Sequence, residues 1–404
     1  MLRSDTAIVT EPPPAGERRA VPAAVVTAAC GVHASGDCYN TAIVTRDIGD
    51  GDARLAIAEE TSLARYRWAS AAINGLIQGP PSPPPGATTE EIRRRATARL
   101  ERLRAFLAFA GNPQARFRSV HVGGTSGKGS TAAFIAGILT AASYRTGLHV
   151  SPYLQVETEK LQIDGALMSG DGFATYVEDL QRLVRDWTAE GGAPLTYGES
   201  WVALTFLAFA GEEVDIGVIE VGTGGRFDLT NVLPSDVAVI TSVGLDHVRT
   251  LGGTIPEIAW HKAGIIKPGR PVVTTVADPA ALTVIEREAA TQRAPLVTLA
   301  EGRDFTVLGT GPTGTELLDV PSGRRFRLPL PGRFQGANAA AAIGAVRQLR
   351  DLPGKVDDAV IAAGLARTRF PGRLEIVQQR PAVILDGAHN PDKMLSLVES
   401  LPLL

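Results

Sequence analysis

The sequence has few cysteines, little net charge and no long apolar run, and each of these shortages excludes a class of protein. Its 404 residues include only two cysteines, Cys30 and Cys38, both in the N-terminal tail. A disulfide scaffold is therefore excluded, and a reducing, cytoplasmic location is favoured. A formal charge of −3 gives no reason to expect nucleic acid as a partner. No apolar run approaches the roughly eighteen residues of a membrane span, so no membrane partner is expected.

The length and the ordinary composition predict globular domains preceded by an irregular extension. A chain of 404 residues accommodates two or three domains, and 44% hydrophobic and 21% charged residues are typical of such domains. Residues 1–60 show no clear period and are predicted to be mostly disordered, with no assigned function. Residues 17–30 resemble a signal peptide only weakly, because Pro22 and an alanine-rich run without leucine do not fit one.

The segment from His121 to Tyr153 carries a signal for phosphate binding. A strand-like run leads into a glycine-rich turn, which is followed by a helix-like segment and a second strand-like run. Backbone N–H groups of such a turn close around phosphate oxygens, and the helix N-terminus adds its positive dipole end. The alternative is a glycine turn that only joins a strand to a helix. The predicted nucleotide-binding residues of this segment are Gly124, Thr125, Gly127, Lys128, Gly129, Ser130 and Thr131.

Apolar strand-like segments alternate with amphipathic helical segments beyond this turn. The alternation predicts an α/β fold with a mostly parallel sheet that is covered by helices on both faces. Residues 61–369 are predicted to form one nucleotide-binding domain, with hairpins at its edge in residues 296–330. The Pro371-Gly372 pair marks a predicted junction. Residues 370–404 then contain the start of a second α/β domain.

Polar residues follow several of the predicted strands, where open α/β sheets place ligands. Glu220 ends one strand, and a buried carboxylate there is costly unless it is paired or bound to a cation. Asp246 and His247 end the next strand, and either a turn or a metal ligand would explain them. Lys262 would be a surface residue on charge alone. For Asp386 and His389, a simple Asx turn is the favoured interpretation if their motif stands alone.

These motifs together resemble the folylpolyglutamate synthase/dihydrofolate synthase branch of the Mur ligases. The resemblance runs from about Tyr66 to the C-terminus and rests on nine motifs in order: GGTSGKGST, SPYL, TYGE, IEVGTGGRFDLTN, ITSVGLDH, HKAGIIKPG, LPLPGRFQGANAA, FPGRLE and ILDGAHNP. It implies a Mur-ligase-like P-loop domain followed by a Rossmann-like domain. It also implies an ATP-dependent ligase that adds L-glutamate to a folate-type carboxylate through an acyl phosphate. A cytoplasmic monomer with ATP and two Mg²⁺ ions is expected.

The resemblance also assigns roles to individual residues. Lys128 and the amides of the glycine loop would hold phosphates, while Lys128, Lys262 and His247 would be catalytic. Lys262 would be carbamylated and would join the metal ligands. The implied metal ligands are Ser151, Glu220, His247 and Lys262; the implied further ATP contacts are Asn338, Arg373, Asp386 and His389; the implied substrate contacts are Thr196, Phe227, Asp228 and Leu229.

The sequence departs from the family pattern in two respects. Ser126, Tyr153, the segment ETEKLQIDG and the Tyr-Gly of TYGE differ from the usual residues, and these segments are expected to face the acceptor. A related carboxylate is therefore an alternative acceptor. About 34 residues follow Pro371, too few for an independent core. The chain is therefore expected to be truncated and weak or inactive as a ligase, and an inactive nucleotide-binding remnant is a further alternative.

Overall fold

The computed structural model describes residues 24–27, 53–76, 86–349 and 356–404. The strands are β1 Ala24–Thr27, β2 Arg118–Gly123, β3 Thr146–His149, β4 Gln162–Ile163, β5 Ala166–Leu167, β6 Ile216–Glu220, β7 Val237–Ile240, β8 Val272–Thr274, β9 Leu296–Thr298, β10 Phe305–Gly311, β11 Gly314–Asp319, β12 Arg324–Leu328, β13 Glu375–Gln379 and β14 Ala382–Asp386. The α-helices are α1 Ala53–Asn74, α2 Thr89–Phe109, α3 Lys128–Ala141, α4 Gly170–Ala189, α5 Tyr197–Gly211, α6 Val248–Leu251, α7 Ile255–Ala263, α8 Pro279–Thr291, α9 Phe334–Gln348, α10 Asp358–Arg367 and α11 Pro391–Ser400.

An eight-stranded sheet forms the centre of the molecule, in the order β5-β4-β3-β6-β2-β7-β8-β9. The six strands from β3 to β9 in this order pair in parallel, and only the short β4 and β5 are antiparallel. The predicted mostly parallel α/β fold is therefore confirmed. Because β2 lies between β6 and β7, the carboxyl ends of these three strands meet at the glycine loop that follows β2. Ligands of open α/β sheets bind at such an edge.

Helices cover both faces of this sheet, as the nearly continuous apolar strands require. Helices α3, α9 and α10 pack on one face around Phe134, Ile138 and Ile343. Helices α1, α2, α4 and α5 pack around Phe106 and Phe206 in a second core. A third, smaller core lies between α7, α8 and the strands β7 and β8. Within the described ranges, no helix combines the length and the apolar character that a membrane span requires.

Local sequence signals explain where α2 begins and which face it buries. The Thr88 hydroxyl accepts a hydrogen bond from the Glu91 amide at 3.2 Å, which satisfies one of the free N–H groups of the first turn. Thr88 is therefore the N-cap of α2. Leu100, Leu103 and Leu107 repeat at three and four residues and are buried.

The segment predicted to form hairpins folds into a separate sheet. Leu296–Thr298 is the edge strand β9 of the central sheet, whereas β10, β11 and β12 form an antiparallel sheet of their own. Their inward residues Phe305, Leu317 and Phe326 join the same core as α9. The hairpins therefore share a core with α9 and stand beside the main sheet rather than extending it.

The two ends of the chain contain described elements that the sequence did not locate. Strand β1 pairs in parallel with β14, which also pairs antiparallel with β13. Helix α1 begins at Ala53, before the helical pattern that is visible from Ser62. The rest of the predicted extension, with Cys30 and Cys38, lies outside the described residues. After the Pro371-Gly372 pair, four buried residues form a small separate core, namely Leu374, Ile384, Ala388 and Leu397.

Candidate active site

The glycine loop has the backbone that a phosphate loop needs. Gly127 caps α3 at φ 83°, a conformation that L-residues rarely adopt. A Cβ on Gly127 would lie 2.1 Å from Asn338 Oδ1, and a Cβ on Gly124 would lie 2.0 Å from Thr241 Oγ1. Both glycines are therefore required by close packing. The N-terminus of α3, with Lys128 as its first residue, consequently opens at the carboxyl end of β2.

Hydrogen bonds from the segment that follows β7 hold this loop in place. The Ser126 amide donates to Ser242 Oγ at 2.9 Å, and the Thr241 hydroxyl donates to the Ser126 carbonyl at 2.6 Å. The Thr125 hydroxyl oxygen accepts a hydrogen bond from the Gly244 amide at 3.0 Å. From the other side, the Thr131 hydroxyl donates to the Asn338 carbonyl at 3.3 Å. The loop is thus held by hydrogen bonds on two sides.

Glu220 ends β6 beside this loop and is buried at 5% exposure. Its Oε2 accepts the Ser151 amide at 3.0 Å. Burial raises the pKa of the Glu220 carboxyl, while Lys128, the Ser151 amide, Arg373 and Lys393 act in the opposite direction. A buried carboxylate with one hydrogen bond and several nearby cations is typical of a site for a cation or a polar ligand.

His247 and Lys262 lie in the same cluster. Lys262 is in α7 and is only 2% exposed, and burial, assisted by Lys128, lowers its pKa to about 7. Partial burial lowers the pKa of His247, which Asp246 opposes and Lys128, Lys262 and Lys393 reinforce. The charge of Lys128 lowers the pKa of Glu220, of His247 and of Lys262. The structure therefore brings these predicted residues together. The surface location that charge alone suggested for Lys262 is wrong.

The donors in this cluster suit a hard divalent cation. The Ser151 hydroxyl, the Glu220 carboxylate and the His247 imidazole offer oxygen and nitrogen ligands, and Mg²⁺ prefers oxygen. An ammonium cannot be a ligand, so Lys262 fits only after it loses its proton or gains a carboxylate. No group of three or more His, Cys, Asp or Glu residues in the described part of the chain forms a metal centre by itself. A cation here would therefore depend on the serine, the lysine or the ligand as well.

The C-terminal segment contributes several further side chains to this edge. Asn390 Nδ2 donates to Asp246 Oδ2 at 3.1 Å, and Lys393 Nζ lies 3.8 Å from the same oxygen. The Arg373 guanidinium lies 5.0 Å from the centre of the Phe370 ring. Phe370 in turn lies against the loop, since a Cβ on Gly129 would be 2.6 Å from its Cζ. Residues from both sides of Pro371 therefore line one site.

Asp386 and His389 have local partners. Asp386 accepts the Leu374 amide at 2.9 Å and the Ala388 amide at 2.7 Å, as in the simple turn that was the alternative interpretation. His389 is exposed, with Nε2 3.2 Å from Lys393 Nζ and Nδ1 2.7 Å from the Gly387 carbonyl. Their contact with ATP stays a prediction.

The predicted substrate residues form two groups. Thr196 is 6% exposed and caps α5, with its hydroxyl 2.6 Å from Glu199 Oε2. Asp228 accepts the Thr223 and Thr230 amides, each at 3.0 Å, so it stabilises the turn that presents Phe227 and Leu229. The Phe227 ring lies 5.7 Å from the His261 ring, next to Lys262. Their contact with a substrate also stays a prediction.

The sequence interpretation did not identify Lys393, and it named Asp246 without its partners in this cluster. Lys393 lies in the first turn of α11, and its pKa is lowered by burial and by Lys128. Asp246, whose pKa is lowered by His247 and Lys393 against the effect of burial, connects β7 to α11. The adjacent motifs GLDH and AHNP were the available signals, but only the fold places them side by side.

The comparisons with known proteins agree with this geometry. A family model described as the Mur ligase middle domain matches residues 122–346. The dihydrofolate synthase/folylpolyglutamate synthase of Bacillus subtilis is 39% identical over 309 residues, which cover 75% of this chain and 71% of that protein. The chain therefore belongs to the folylpolyglutamate synthase/dihydrofolate synthase family of the Mur ligases.

Solved structures give the same result for the fold. The apo form of the Lacticaseibacillus casei folylpolyglutamate synthase superimposes with a TM-score of 0.72 at 33% identity, covering 83% of this chain and 80% of that chain. A folylpolyglutamate synthase in complex with AMPPCP and folate superimposes with a TM-score of 0.71 at 34% identity, again covering 83% and 80%. The predicted Mur-ligase-like fold is confirmed.

Proposed function

We propose that the chain is an ATP-dependent ligase that adds L-glutamate to a folate-type carboxylate, namely dihydropteroate, a folylpolyglutamate or both. The observation that carries the proposal is the meeting of a phosphate loop with the buried Glu220 and a cluster of cations at one sheet edge. A relative named for this activity and a related structure with AMPPCP and folate support it.

The reaction has to bring two anions together, the acceptor carboxylate and the γ-phosphate of ATP. The acceptor oxygen attacks the γ-phosphorus, ADP leaves, and an acyl phosphate forms. The glutamate amine then attacks the acyl carbon, loses a proton and expels phosphate to give the amide. The loop amides and Lys128 hold phosphate oxygens in place and offset the repulsion between the anions. Mg²⁺ held by Ser151, Glu220 and His247 would supply further positive charge.

A carbamylated Lys262 is a finer part of the proposal. Since the pKa of Lys262 is about 7, a large share of the amine is neutral at physiological pH. A neutral amine adds to carbon dioxide and releases a proton, which gives an anionic N-carboxylate. That group would be an oxygen ligand where an ammonium would repel a cation. A carbamate signal in the ¹³C NMR spectrum of protein with labelled bicarbonate, absent from Lys262→Met, tests this step.

Other finer parts are the second Mg²⁺ ion, a monomeric state and a cytoplasmic location. Two phosphoryl oxygens and two carboxylates in one cleft favour more than one cation. Folate substrates and ATP are small molecules, so no macromolecular partner is required. Sedimentation and magnesium titration of the purified protein test the monomer and the number of ions.

Phosphate release with ATP, Mg²⁺ and L-glutamate tests the ligase itself, with dihydropteroate and tetrahydrofolate compared as acceptors. We expect release with at least one of them and mass gain of one glutamyl residue in the product. Lys128→Ala should abolish release, because the GGTSGKGST loop loses its one charged side chain; near-normal turnover would reject that role. Release with neither acceptor but with another carboxylate would favour a different Mur-type ligase. ATP binding without any release would favour the inactive remnant.

Glu220→Ala tests the metal assignment. Removal of the buried carboxylate should abolish both activity and its dependence on magnesium. The magnesium titration of residual activity is the measurement, and Asp236→Ala is a suitable comparison because Asp236 pairs with Arg118 and Arg270 at the opposite end of the sheet. Full magnesium-stimulated activity in the Glu220 variant would show that Glu220 is no ligand.

A further inference from the structure

Lys160 lies inside a cage of three aromatic rings. Its Nζ is 4.3 Å from the centre of the Trp201 ring, 5.6 Å from that of Tyr153 and 5.7 Å from that of Tyr197. The residue is only 9% exposed. Ring faces attract a cation, but they accept none of its three hydrogen bonds in the way an oxygen does.

The polar groups of this cage lack an acceptor. Among the described residues, no carboxylate lies within 4.0 Å of Lys160 Nζ, and no hydrogen bond joins it to the protein. Trp201 is 3% exposed, and its buried Nε1 makes no well-formed hydrogen bond in the same part of the chain, although its N–H lies near enough to the Tyr197 hydroxyl to oppose the rise that burial causes in the pKa of Tyr197. Buried donors are almost always paired in native proteins. Two unpaired donors side by side therefore indicate that an acceptor with negative charge binds here.

The nearest acid is engaged elsewhere. Glu157 accepts hydrogen bonds from Ser70 at 2.8 Å and Asn74 at 2.9 Å, and from the Tyr66 hydroxyl. These bonds hold the Glu157 carboxylate against α1. Burial is the larger influence on Lys160 and lowers its pKa to about 8, while the charge of Glu157 opposes this shift without direct contact. The cage thus keeps a cation ready without neutralising it by contact.

The cage also lies where the sequence departs from its family. Three of those departures are Tyr153, the segment ETEKLQIDG that contains Lys160, and Tyr197, and the fold brings both tyrosine rings close to Lys160. Tyr153 follows the predicted metal ligand Ser151 by two residues, and Tyr197 directly follows the predicted substrate residue Thr196. Because the departures converge on one point beside the site, they act together on a substrate rather than separately on stability.

We propose that Lys160, with the Trp201 indole N–H, binds a substrate carboxylate other than the one that ATP activates. This deepens the proposed ligase function and rests on it. Such a carboxylate occurs on glutamate and on the glutamyl part of a folate acceptor, but not on dihydropteroate, whose single carboxylate reacts. The cage is therefore a specificity-determining site, and Lys160 is a positioning residue for the ligation.

Lys160→Met keeps the length of the side chain and removes its charge. We expect the KM of one substrate to rise about ten- to hundredfold, the range for a lost hydrogen bond to a charged group. The kcat and the KM for ATP should change less than threefold, and Lys160→Arg should recover most of the affinity. A rise for glutamate with either acceptor assigns the glutamate carboxylate. A rise for tetrahydrofolate alone, with dihydropteroate unaffected, assigns the acceptor.

A structural role for Lys160 would give a different result. In that case, the urea midpoint would fall and every kinetic constant would change together, which would overturn the proposal. A stable Lys160→Met protein that keeps all its KM values would overturn it as well. Trp201→Phe keeps a ring and removes only the N–H, and should raise the same KM about threefold or more. Lys267→Met controls for the loss of a buried ammonium outside the cage, since Lys267 is hydrogen-bonded to Asn231.

Calorimetric binding of glutamate and tetrahydrofolate separates this proposal from the ligase itself. If the unmodified chain binds both but releases no phosphate, the proposed function fails while the cage is still tested by the loss of binding in Lys160→Met. Equal binding by the unmodified chain and by Lys160→Met would refute the cage alone.

Discussion

Replacement of Lys262 by methionine should stabilise the folded chain while it abolishes ligation. The ammonium is 2% exposed and, among the described residues, has neither a carboxylate within 4.0 Å nor a hydrogen bond. Its pKa falls from an ordinary 10.5 to about 7, with burial as the main cause and Lys128 as the next. At 1.36 kcal/mol for each pH unit, this fall corresponds to about 5 kcal/mol of folding free energy.

The direction of the pH dependence follows from proton binding. Below pH 7 both the folded and the unfolded chain hold the proton, so the folded state bears the whole cost of the buried charge. Between pH 7 and 10.5 the unfolded chain binds more protons, and the free energy of unfolding rises with pH. The advantage of Lys262→Met should therefore be largest near pH 6, about 5 kcal/mol, and fall to about 2 kcal/mol at pH 9.

Urea denaturation in buffer without metal and bicarbonate, at pH 6, 7.5 and 9, measures this difference. Lys267→Met is the matched control: burial lowers the pKa of Lys267 to about 8 as well, but its Nζ donates to the Asn231 carbonyl at 2.9 Å and to Oδ1 at 2.8 Å. Loss of those bonds should cancel much of the gain. The reasoning would be refuted if Lys262→Met were less stable than the unmodified chain at pH 6. It would also be refuted if the gain in unfolding free energy were the same at all three pH values.

Two further substitutions test the loop and the substrate side of the site. Gly127→Ala places a Cβ against Asn338 Oδ1 at φ 83°. It should therefore lower the free energy of unfolding by about 1–3 kcal/mol in urea denaturation and abolish ATP binding. Tight ATP binding by this variant would contradict the loop geometry. Arg102→Met removes both guanidinium hydrogen bonds, each 2.9 Å, from the fully buried Glu199 and should cost about 3–5 kcal/mol. Arg95→Met, which breaks only an exposed pair with Glu91 at 3.4 Å, should cost less than about 0.5 kcal/mol, and equal losses would disprove the difference in burial.

Much of the central fold was predictable because it depends on local patterns. Apolar runs such as DIGVIEVG can be satisfied only between two layers of helices, and the structure places that run in β6 with every residue from Ile216 to Glu220 buried. The glycine loop was predictable for a related reason. Glycine lowers stability inside a helix, so Gly129 in the first turn of α3 indicates a place where the backbone must approach another group closely.

The contacts between distant segments were not predictable from those patterns. Asp246 and Asn390 are joined by a 3.1 Å hydrogen bond although 144 positions separate them, and no periodicity records such a pair. The register of β14 against β13 and β1 is equally invisible. Lys160 shows the same limit, since a lysine in a short polar segment is ordinarily exposed and only the packing of this segment against Tyr153 and α5 encloses it.

The lysines at this edge of the sheet reduce the stability of the folded chain, and their positions give a physical reason for this. Lys128 lowers the pKa of Lys262 and Lys393, after burial, and both receive only partial compensation from Asp246. Cations that destabilise one another would be removed by simple selection for stability. A ligand with several negative charges reverses the balance, because each cation then gains a partner without moving. The excess of buried positive charge is therefore best understood as preparation for the phosphates and carboxylates of the reaction.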